Sequence, residues 1–313
     1  MPAVKNYLSL IKFSHTIFAM PFALIGFVLG LYSIPKTYNL NAAIGWAHNI
    51  VNFTNYRIIV ILTLVILCMV FARSAAMAFN RYLDRRFDAK NPRTAIREIP
   101  AGIITAKNAL MFTIINAVLF VACAWFINLL CFFLSPVALF VILFYSYTKR
   151  FTSLCHLVLG LGLSLAPIGA YLAVMERFDL LPLLFSFTVL FWVSGFDIIY
   201  ALQDEAFDRE NDLYSMPAVM GKARALNVSI VLHLLSAACV VLAGWYGHFG
   251  WLYWIGVAVF TGMLIYQHSI VKPHDLSRVN LAFMTANGIA SVVFAVFVIA
   301  DILLLKTAFN LAG

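Results

Sequence analysis

The chain has 313 residues, of which 64% are hydrophobic and only 11% are charged. A soluble domain carries about 25% charged residues, so this composition excludes a soluble globule and indicates a polytopic membrane protein. The net charge of +8 does not indicate nucleic acid binding, because the basic residues are scattered between apolar segments instead of forming a stripe.

A membrane-spanning helix needs about 20 mostly apolar residues. This length predicts an all-α bundle of nine transmembrane helices with cytoplasmic cap loops, forming one membrane domain over residues 1–313. The predicted spans are 15–34, 57–79, 107–127, 130–147, 153–175, 179–200, 223–243, 250–271 and 281–305. Very short connections after the third and seventh spans predict two tight hairpins.

The basic residues predict the orientation of this bundle. With the N-terminus in the cytoplasm, 17 of the 21 Lys and Arg residues lie on or near the cytoplasmic side. The four exceptions are Lys36, Arg57, Arg177 and Lys306. Because positively charged loops stay in the cytoplasm, we expect a multi-pass protein of the inner (cytoplasmic) membrane, with the N-terminus and the two long loops, 80–106 and 201–222, in the cytoplasm.

The two long loops and the helix end before the second also hold nine of the 13 acidic residues, which the orientation rule does not explain. In the first cluster, NRYLDRRFD, Asn80, Asp84 and Asp88 lie on one face if the second span continues as a helix. Arg73 lies on the same face, about two turns deeper toward the bilayer.

The second cluster, DIIYALQDEAFD, places Asp197, Asp204 and Asp208 within about 40° of one another on a helix. Like charges at this spacing repel unless a cation balances them. Mg²⁺ prefers oxygen ligands and is usually held by one or two carboxylates plus substrate phosphates. Two such clusters beside basic residues therefore predict a Mg²⁺-bridged diphosphate, with a solvated charged loop as the alternative.

Both clusters resemble the aspartate-rich motifs of the UbiA superfamily of intramembrane prenyltransferases. NRYLDRRFDAKNPRT resembles the first motif, DIIYALQDEAFDRENDLYSMPAVMG resembles the second, and YSYTKR at 145–150 also matches the family's pattern. The resemblance covers essentially the whole chain and is closest to 4-hydroxybenzoate polyprenyltransferases and their relatives in quinone synthesis. Arg81 departs from the pattern, since many members have Asp there, and this removes one possible metal ligand.

The resemblance implies an enzyme that transfers a polyprenyl group from its diphosphate to an aromatic acceptor in a Mg²⁺-dependent reaction. The expected ligands are Asn80, Asp84 and Asp88 for one Mg²⁺ and Asp204 and Asp208 for a second. Asp197 is expected to be a supporting ligand or a more distant acid. No obligate protein partner is implied.

Positive charge near the motifs suits a diphosphate leaving group. We expect Lys149 and Arg150 to neutralise that group, with Arg73 and Arg93 as further candidates. The alternatives are that Lys149 and Arg150 only anchor the topology and that Arg73 reaches the headgroups. By resemblance, the loop that contains Arg93 forms a lid over the diphosphate.

Aromatic faces can stabilise the carbocation that the reaction forms. Tyr145, Tyr147 and Tyr200 lie near the motifs and are candidates for this role, with packing as the alternative. Lys12 and His15 are candidates to orient an acceptor carboxylate, with interfacial anchoring as the alternative. An apolar cavity open to lipid would hold the isoprenoid tail.

The acceptor itself is left open between 4-hydroxybenzoate and a dihydroxynaphthoate-type ring. A secondary transporter and a structural scaffold are the alternatives from other classes. Transporters place polar sites near the bilayer midplane, whereas the middles of these spans are almost free of charge. Asp301, the exception, is expected to reach water near the outer end of the ninth span.

Overall fold

The computed structural model describes residues 2–11, 18–33 and 55–306, and every regular element within these ranges is helical. The α-helices are α1 (Pro2–Leu10), α2 (Met20–Tyr32), α3 (Asn55–Lys90), α4 (Ala106–Ile127), α5 (Leu129–Thr148), α6 (Cys155–Met175), α7 (Leu180–Ala201), α8 (Glu205–Glu210), α9 (Met216–Met220), α10 (Lys222–Tyr246), α11 (Trp251–Ile270) and α12 (Asn287–Ala300). A 3₁₀ turn (Leu202–Asp204) follows α7, and π-helical segments (Leu281–Ala286 and Asp301–Lys306) flank α12. The prediction of an all-α fold is confirmed.

Seven helical segments of the described chain are long and apolar enough to cross a membrane. They are Arg57–Lys90, Ala106–Ile127, Leu129–Thr148, Cys155–Met175, Leu180–Glu210, Lys222–Tyr246 and Leu281–Leu305. The first predicted span corresponds to α2, which has only 13 residues, and the eighth to α11, which has 20 but is not one of the seven. The membrane bundle is confirmed, and the count of nine spans stays a prediction.

The first motif lies on α3, a helix that is longer than the hydrocarbon core of a membrane is thick. At a rise of 1.5 Å per residue, the 36 residues of α3 extend over about 54 Å, whereas the hydrocarbon core is about 30 Å thick. The excess places the last turns of α3 outside the apolar layer. We call the end of the bundle that carries these turns the motif side.

The second motif departs from the expected continuous helix. Helix α7 ends at Ala201, the next three residues form a 3₁₀ turn, and α8 begins at Glu205. The 3₁₀ turn contains three residues per turn instead of 3.6, so it changes the direction of the side chains that follow. Asp197, Asp204 and Asp208 therefore do not form one regular column.

The core of the bundle is an aromatic cluster formed by side chains from four helices. Phe22, Trp192, Phe260 and Phe294 are fully buried and come from α2, α7, α11 and α12. The ring centroids of Trp192 and Phe260 are 5.8 Å apart. Rings at such distances add specific aromatic attraction to the area that they bury. The cluster holds α2, α7, α11 and α12 in fixed positions relative to one another. The arrangement of the motif side depends on these positions.

Asp301 is buried and caps a neighbouring helix, so the expectation that it reaches water is wrong. Its two carboxylate oxygens accept hydrogen bonds from the backbone N–H groups of Gly250 (2.8 Å) and Tyr253 (3.1 Å) at the start of α11. The first N–H groups of a helix have no partner within the helix, and a carboxylate there satisfies them. The charge in the ninth predicted span is therefore explained by helix capping.

Exposed tryptophans lie at the end of the bundle opposite the motif side. Trp125 near the end of α4 and Trp245, Trp251 and Trp254 around the α10–α11 turn are all exposed. Tryptophan concentrates at membrane–water interfaces, where its ring lies at the level of the headgroups. This position fits a bundle that crosses the membrane with the motif side at the other surface.

Candidate active site

The last turns of α3 carry the first motif, and the polar side chains of this motif contact one another and nearby basic residues. The Asn80 amide donates to Asp84 Oδ2 at 3.0 Å, one helical turn away. Asp88, one turn further on, is buried; Arg97 Nη1 donates to its Oδ1 at 2.5 Å, and Arg81 Nη1 lies 4.0 Å from its Oδ2. The residue that departs from the family pattern, Arg81, therefore supplies charge beside Asp88.

The loop after α3 links the first motif to the second. Asn91 donates to Asp204 Oδ1 at 3.3 Å, and Arg93 Nε donates to the same oxygen at 3.0 Å. Arg93 also pairs with Asp204 Oδ2 and donates to Tyr200 Oη at 3.0 Å. Burial opposes the charge of Arg93, but Asp204 and Tyr200 together raise the pKa of the guanidinium above its ordinary value. Arg93 is thus fixed as a cation between the motifs.

Lys149 and Arg150, which follow α5, each contact a different motif. Lys149 Nζ lies 2.8 Å from Asp208 Oδ1 in the second motif, whereas Arg150 Nη2 lies 3.2 Å from Asp84 Oδ1 in the first. Burial opposes the charge of Lys149, yet the pairing with Asp208 raises the pKa of the ammonium group above its ordinary value. Ser215 completes the surroundings of Asp208 by donating to Oδ2 at 2.6 Å. Two adjacent residues therefore connect both aspartate motifs.

Asp197 contacts a histidine, whereas the other motif aspartates contact Arg or Lys side chains. His156 Nδ1 lies 2.6 Å from Asp197 Oδ2, and His156 Nε2 accepts a hydrogen bond from the Met216 N–H at 3.3 Å. Since Nε2 accepts, the ring proton is assigned to Nδ1, which donates it to Asp197. His156 is almost fully buried, and a quarter of the Asp197 side chain is exposed. The pair fixes the direction of the carboxylate at the base of the site.

An apolar cavity of about 330 Å³ lies beside this polar cluster, between α3, α4, α5 and α6. Arg73 and Tyr145 line the end nearest the motifs, where Tyr145 is close enough to Asp84 and Asp197 for their charges to act on its hydroxyl. From there the lining follows α6 as far as Leu172, and at 1.5 Å per residue the stretch from Leu159 is about 20 Å long. The cavity is thus long and apolar, with its charged and phenolic groups at one end.

The polar cluster fits a hard divalent cation that binds together with a phosphate group. Its potential ligands are all oxygens, and Asp88 Oδ2 is buried without a hydrogen-bond partner in the part of the chain that the structure describes. Within the described residues, no three acidic, His or Cys side chains converge closely enough to bind a metal ion by themselves. Mg²⁺ commonly completes its coordination with water and substrate phosphates, so this arrangement suits Mg²⁺ bound with a diphosphate.

The structure brings most of the predicted site residues together. Around the two motifs lie Asn80, Asp84, Asp88, Arg93, Lys149, Arg150, Asp197, Tyr200, Asp204 and Asp208, with Arg73 and Tyr145 at the mouth of the cavity. Tyr147 is largely exposed, but its ring lies under the Arg150 guanidinium, 5.1 Å from centroid to carbon. Lys12 and His15 lie outside the described residues.

Sequence reasoning missed Arg97, His156 and Ser215. His156 gave one usable signal, because an ionisable residue near the start of an otherwise apolar span is functional by default. Arg97 lies in a loop with several basic residues and does not stand out without the tertiary contacts. Ser215 lies in the trailing part of the second motif, but the sequence assigned it no role.

The UbiA prenyltransferase family model matches residues 19–297, most of the chain. The protein therefore belongs to the UbiA prenyltransferase family and is a membrane-bound prenyltransferase. Family membership favours the enzyme over the two alternative interpretations, a secondary transporter and a structural scaffold.

Two similar proteins are both named 4-hydroxybenzoate octaprenyltransferase. The one from Tolumonas auensis is 29% identical over 228 residues, covering 73% of this chain and 79% of its own, and the one from Nitrosomonas europaea is 31% identical over 239 residues, covering 75% and 80%. Among solved structures, the apo UbiA homolog from Aeropyrum pernix K1 has a TM-score of 0.73 and 27% identity, covering 92% of this chain and 97% of that one. The UbiA homolog from Archaeoglobus fulgidus bound to DMAPP and Mg²⁺ has a TM-score of 0.66 and 20% identity, covering 96% and 100%, and supports the fold.

Proposed function

We propose that this protein transfers a polyprenyl group from its diphosphate to a small aromatic acid, in a Mg²⁺-dependent reaction of quinone synthesis that releases diphosphate. The observation that carries the proposal is the juxtaposition of two aspartate motifs, linked by Arg93, Lys149 and Arg150, with the mouth of a long apolar cavity. A charged head and an apolar tail on one substrate match these two compartments.

Each motif aspartate contacts a basic side chain. A diphosphate that enters the cluster would compete for Arg93, Lys149 and Arg150, and this would release Asp204, Asp208 and Asp84. We assign Asn80, Asp84, Asp88, Asp204 and Asp208 as the groups that hold Mg²⁺. The chemistry supplied by bound Mg²⁺ is neutralisation of the diphosphate as the allylic C–O bond breaks.

In this mechanism the allylic C–O bond breaks and its electron pair leaves with the diphosphate. Arg93, Lys149 and Arg150 stabilise the negative charge that grows on the leaving oxygens, because fixed cations act most strongly where charge develops. The allylic cation is then attacked by an electron-rich ring carbon, a C–C bond forms, and the ring loses a proton. Tyr145 lies at the mouth of the cavity, where its ring can face the cation.

The similar proteins named 4-hydroxybenzoate octaprenyltransferase favour 4-hydroxybenzoate as the acceptor. The A. fulgidus homolog bound to DMAPP and Mg²⁺ and the same homolog bound to GPP and Mg²⁺ support a prenyl diphosphate and Mg²⁺ here. A dihydroxynaphthoate-type ring is the second acceptor to test. The excess of basic residues on the motif side supports an inner-membrane protein with this side in the cytoplasm.

The test uses the purified protein in detergent with a radiolabelled polyprenyl diphosphate, Mg²⁺ and either aromatic acid. We expect prenylated product with 4-hydroxybenzoate, no product after chelation of Mg²⁺, and at least about a hundredfold loss in Asp84→Asn and in Asp204→Asn. Asp275→Asn is the matched control, because Asp275 is exposed in the turn before the Leu281–Ala286 segment and bonds only Ser277 and Lys272.

The same experiment separates the acceptor from the reaction. Product with dihydroxynaphthoate alone would keep the prenyltransferase and change the acceptor. Full activity in both motif variants would contradict the assignment of the site. If prenyl diphosphate binds equally well to wild type and both variants, and no product forms with either ring, the proposed function is wrong.

A further inference from the structure

The glycines of α6 differ in what surrounds them. A Cβ atom at Gly160 would lie 2.3 Å from Ser194 Oγ and 2.4 Å from the Leu190 carbonyl oxygen, so Gly160 is required for close packing of α6 on α7. Among the residues that the structure describes, a Cβ at Gly162 would only be in ordinary contact with Ile142, at 3.8 Å, and a Cβ at Gly169 would have no atom within 4 Å. Helix packing explains Gly160 but does not explain the other two glycines.

Both unexplained glycines line the apolar cavity. They are seven residues apart, or about two turns, so they lie on one face of α6 and about 10 Å apart along its axis. Helix α6 begins at Cys155, beside the His156–Asp197 pair, and extends away from the motif side. Gly162 is therefore nearer the reactive end of the cavity, and Gly169 is deeper.

We propose that Gly162 and Gly169 determine the length of isoprenoid chain that the cavity accepts, Gly169 at the deep end and Gly162 nearer the reaction centre. The proposal rests on the proposed function, since the chain in question is the tail of the prenyl diphosphate. Glycine destabilises the middle of a helix relative to alanine, because it loses more backbone freedom on folding. Two such residues in the cavity lining are accounted for if their missing side chains leave room for the tail.

A Cβ at either position would meet no described atom closer than 3.8 Å, so a side chain there can extend into the cavity that both glycines line. Leucine at position 169 would extend into space where no atom lies within 4 Å of the Cβ, so the deep part of the cavity would be filled. Leucine at position 162 would fill the cavity about 10 Å closer to the motifs. A long tail would then meet the leucine, whereas a short tail would end before reaching it.

The experiment compares dimethylallyl, geranyl, farnesyl and geranylgeranyl diphosphates in wild type, Gly169→Leu, Gly162→Leu and Gly169→Ala. We expect the ratio of kcat/KM for short over long donors to rise at least about tenfold in Gly169→Leu. Gly162→Leu should shift the preference to still shorter donors, and Gly169→Ala should shift it less. The matched control is Gly262→Leu, because Gly262 on α11 also has nothing within 4 Å but lies outside the cavity lining.

A second measurement avoids the acceptor and the reaction. Each prenyl diphosphate with Mg²⁺ should raise the Tm of the protein, and in Gly169→Leu this rise should fall selectively for the longest donors. The Tm without ligand shows whether each variant folds, and a leucine in place of glycine favours the helix. Gly169→Ala, which adds only a methyl group, keeps the test valid if leucine lowers the Tm.

An unchanged length preference in folded Gly169→Leu and Gly162→Leu would overturn the proposal. It would also be overturned by an equal shift in Gly262→Leu, or by the same loss for every donor length. These outcomes differ from failure of the proposed function, in which wild type itself would bind or transfer none of the four donors.

Discussion

Each of the five motif aspartates contacts a basic side chain. Four of these contacts are ion pairs, Asp84–Arg150, Asp88–Arg97, Asp204–Arg93 and Asp208–Lys149, and the fifth is the hydrogen bond between neutral His156 and Asp197. Removing one partner of a buried ion pair is costly because the other charge remains uncompensated. The aspartates therefore stabilise the cations that a diphosphate needs, and a substrate that brings its own negative charge can replace them.

Arg93 tests whether geometry or charge alone matters at this site. It makes two parallel contacts to Asp204 and a third to Tyr200, which a lysine cannot reproduce. We expect Arg93→Lys to lower kcat/KM about tenfold or more, the equivalent of one lost charge-assisted hydrogen bond. Steady-state transfer assays would measure the loss. Arg209→Lys is the control, because Arg209 lies in the same region but is exposed and pairs with Glu205. Equal activity in the two variants would mean that only the charge of Arg93 counts.

A substitution of His156 would show whether transfer depends on the orientation of the Asp197 carboxylate. In His156→Gln the imidazole is lost, and Asp197 and the Met216 N–H lose their shared partner. We expect the free energy of unfolding to fall by about 1–3 kcal/mol. We also expect transfer to fall about tenfold or more, because small misplacements of site groups reduce rates strongly. Thermal unfolding and transfer assays give the two results. His274→Gln, at an exposed position, should change neither. A variant that is less stable but fully active would limit His156 to a structural role.

At the level of helices, the sequence predicted the positions of the spans well and their breaks poorly. The predicted span 107–127 forms Ala106–Ile127, and 153–175 forms Cys155–Met175. These segments are predictable because an apolar run in a bilayer must satisfy its backbone groups within a helix. The 3₁₀ turn at Leu202–Asp204 has no such signal, since its three residues contain neither the Gly nor the Pro that usually marks a break.

The contents of the site show the same division between local and tertiary information. The spacing of Asn80, Asp84 and Asp88 places them on one helix face, and the structure agrees. The sequence did not show that Lys149 contacts Asp208 while its neighbour Arg150 contacts Asp84. Such pairings depend on how α3, α5 and α8 pack against one another, which one-dimensional spacing does not contain.

Asp301 allows a prediction about the connection between helices. Its carboxylate satisfies two backbone N–H groups at the start of α11, and both groups would lose their partner in Asp301→Ala. We expect this variant to lose about 1–3 kcal/mol of stability while its length preference for prenyl donors stays unchanged. Thermal unfolding in detergent would measure the first and transfer assays the second. Asp275→Ala, which removes an exposed carboxylate that bonds Ser277, should have a much smaller effect on the Tm.

For the molecule as a whole, polar and apolar functions lie at different depths. Ion pairs and both motifs lie on the motif side, the cavity lies between helices at the depth of the bilayer, and exposed tryptophans lie at the opposite end. The proposed substrate, a prenyl diphosphate, shows the same change along its length, from a charged head to an apolar tail. It can therefore enter with its head at the membrane surface and its tail among the helices, so that neither part crosses an unfavourable environment.

Because both motifs lie at one end of the bundle, the active site faces one side of the membrane. The distribution of basic residues predicts that this side is the cytoplasm. Single cysteines at two exposed positions would test this: Lys90→Cys at the end of α3 on the motif side and Arg177→Cys after α6 at the opposite end. The native chain is the control, because its five cysteines are buried or half-buried. A membrane-impermeant maleimide added to intact spheroplasts should label Arg177→Cys, and Lys90→Cys only after the membrane is opened. The reverse pattern would place the motifs outside, where the positive-inside rule predicts few basic residues. The substrate would then have to reach the site from the other surface.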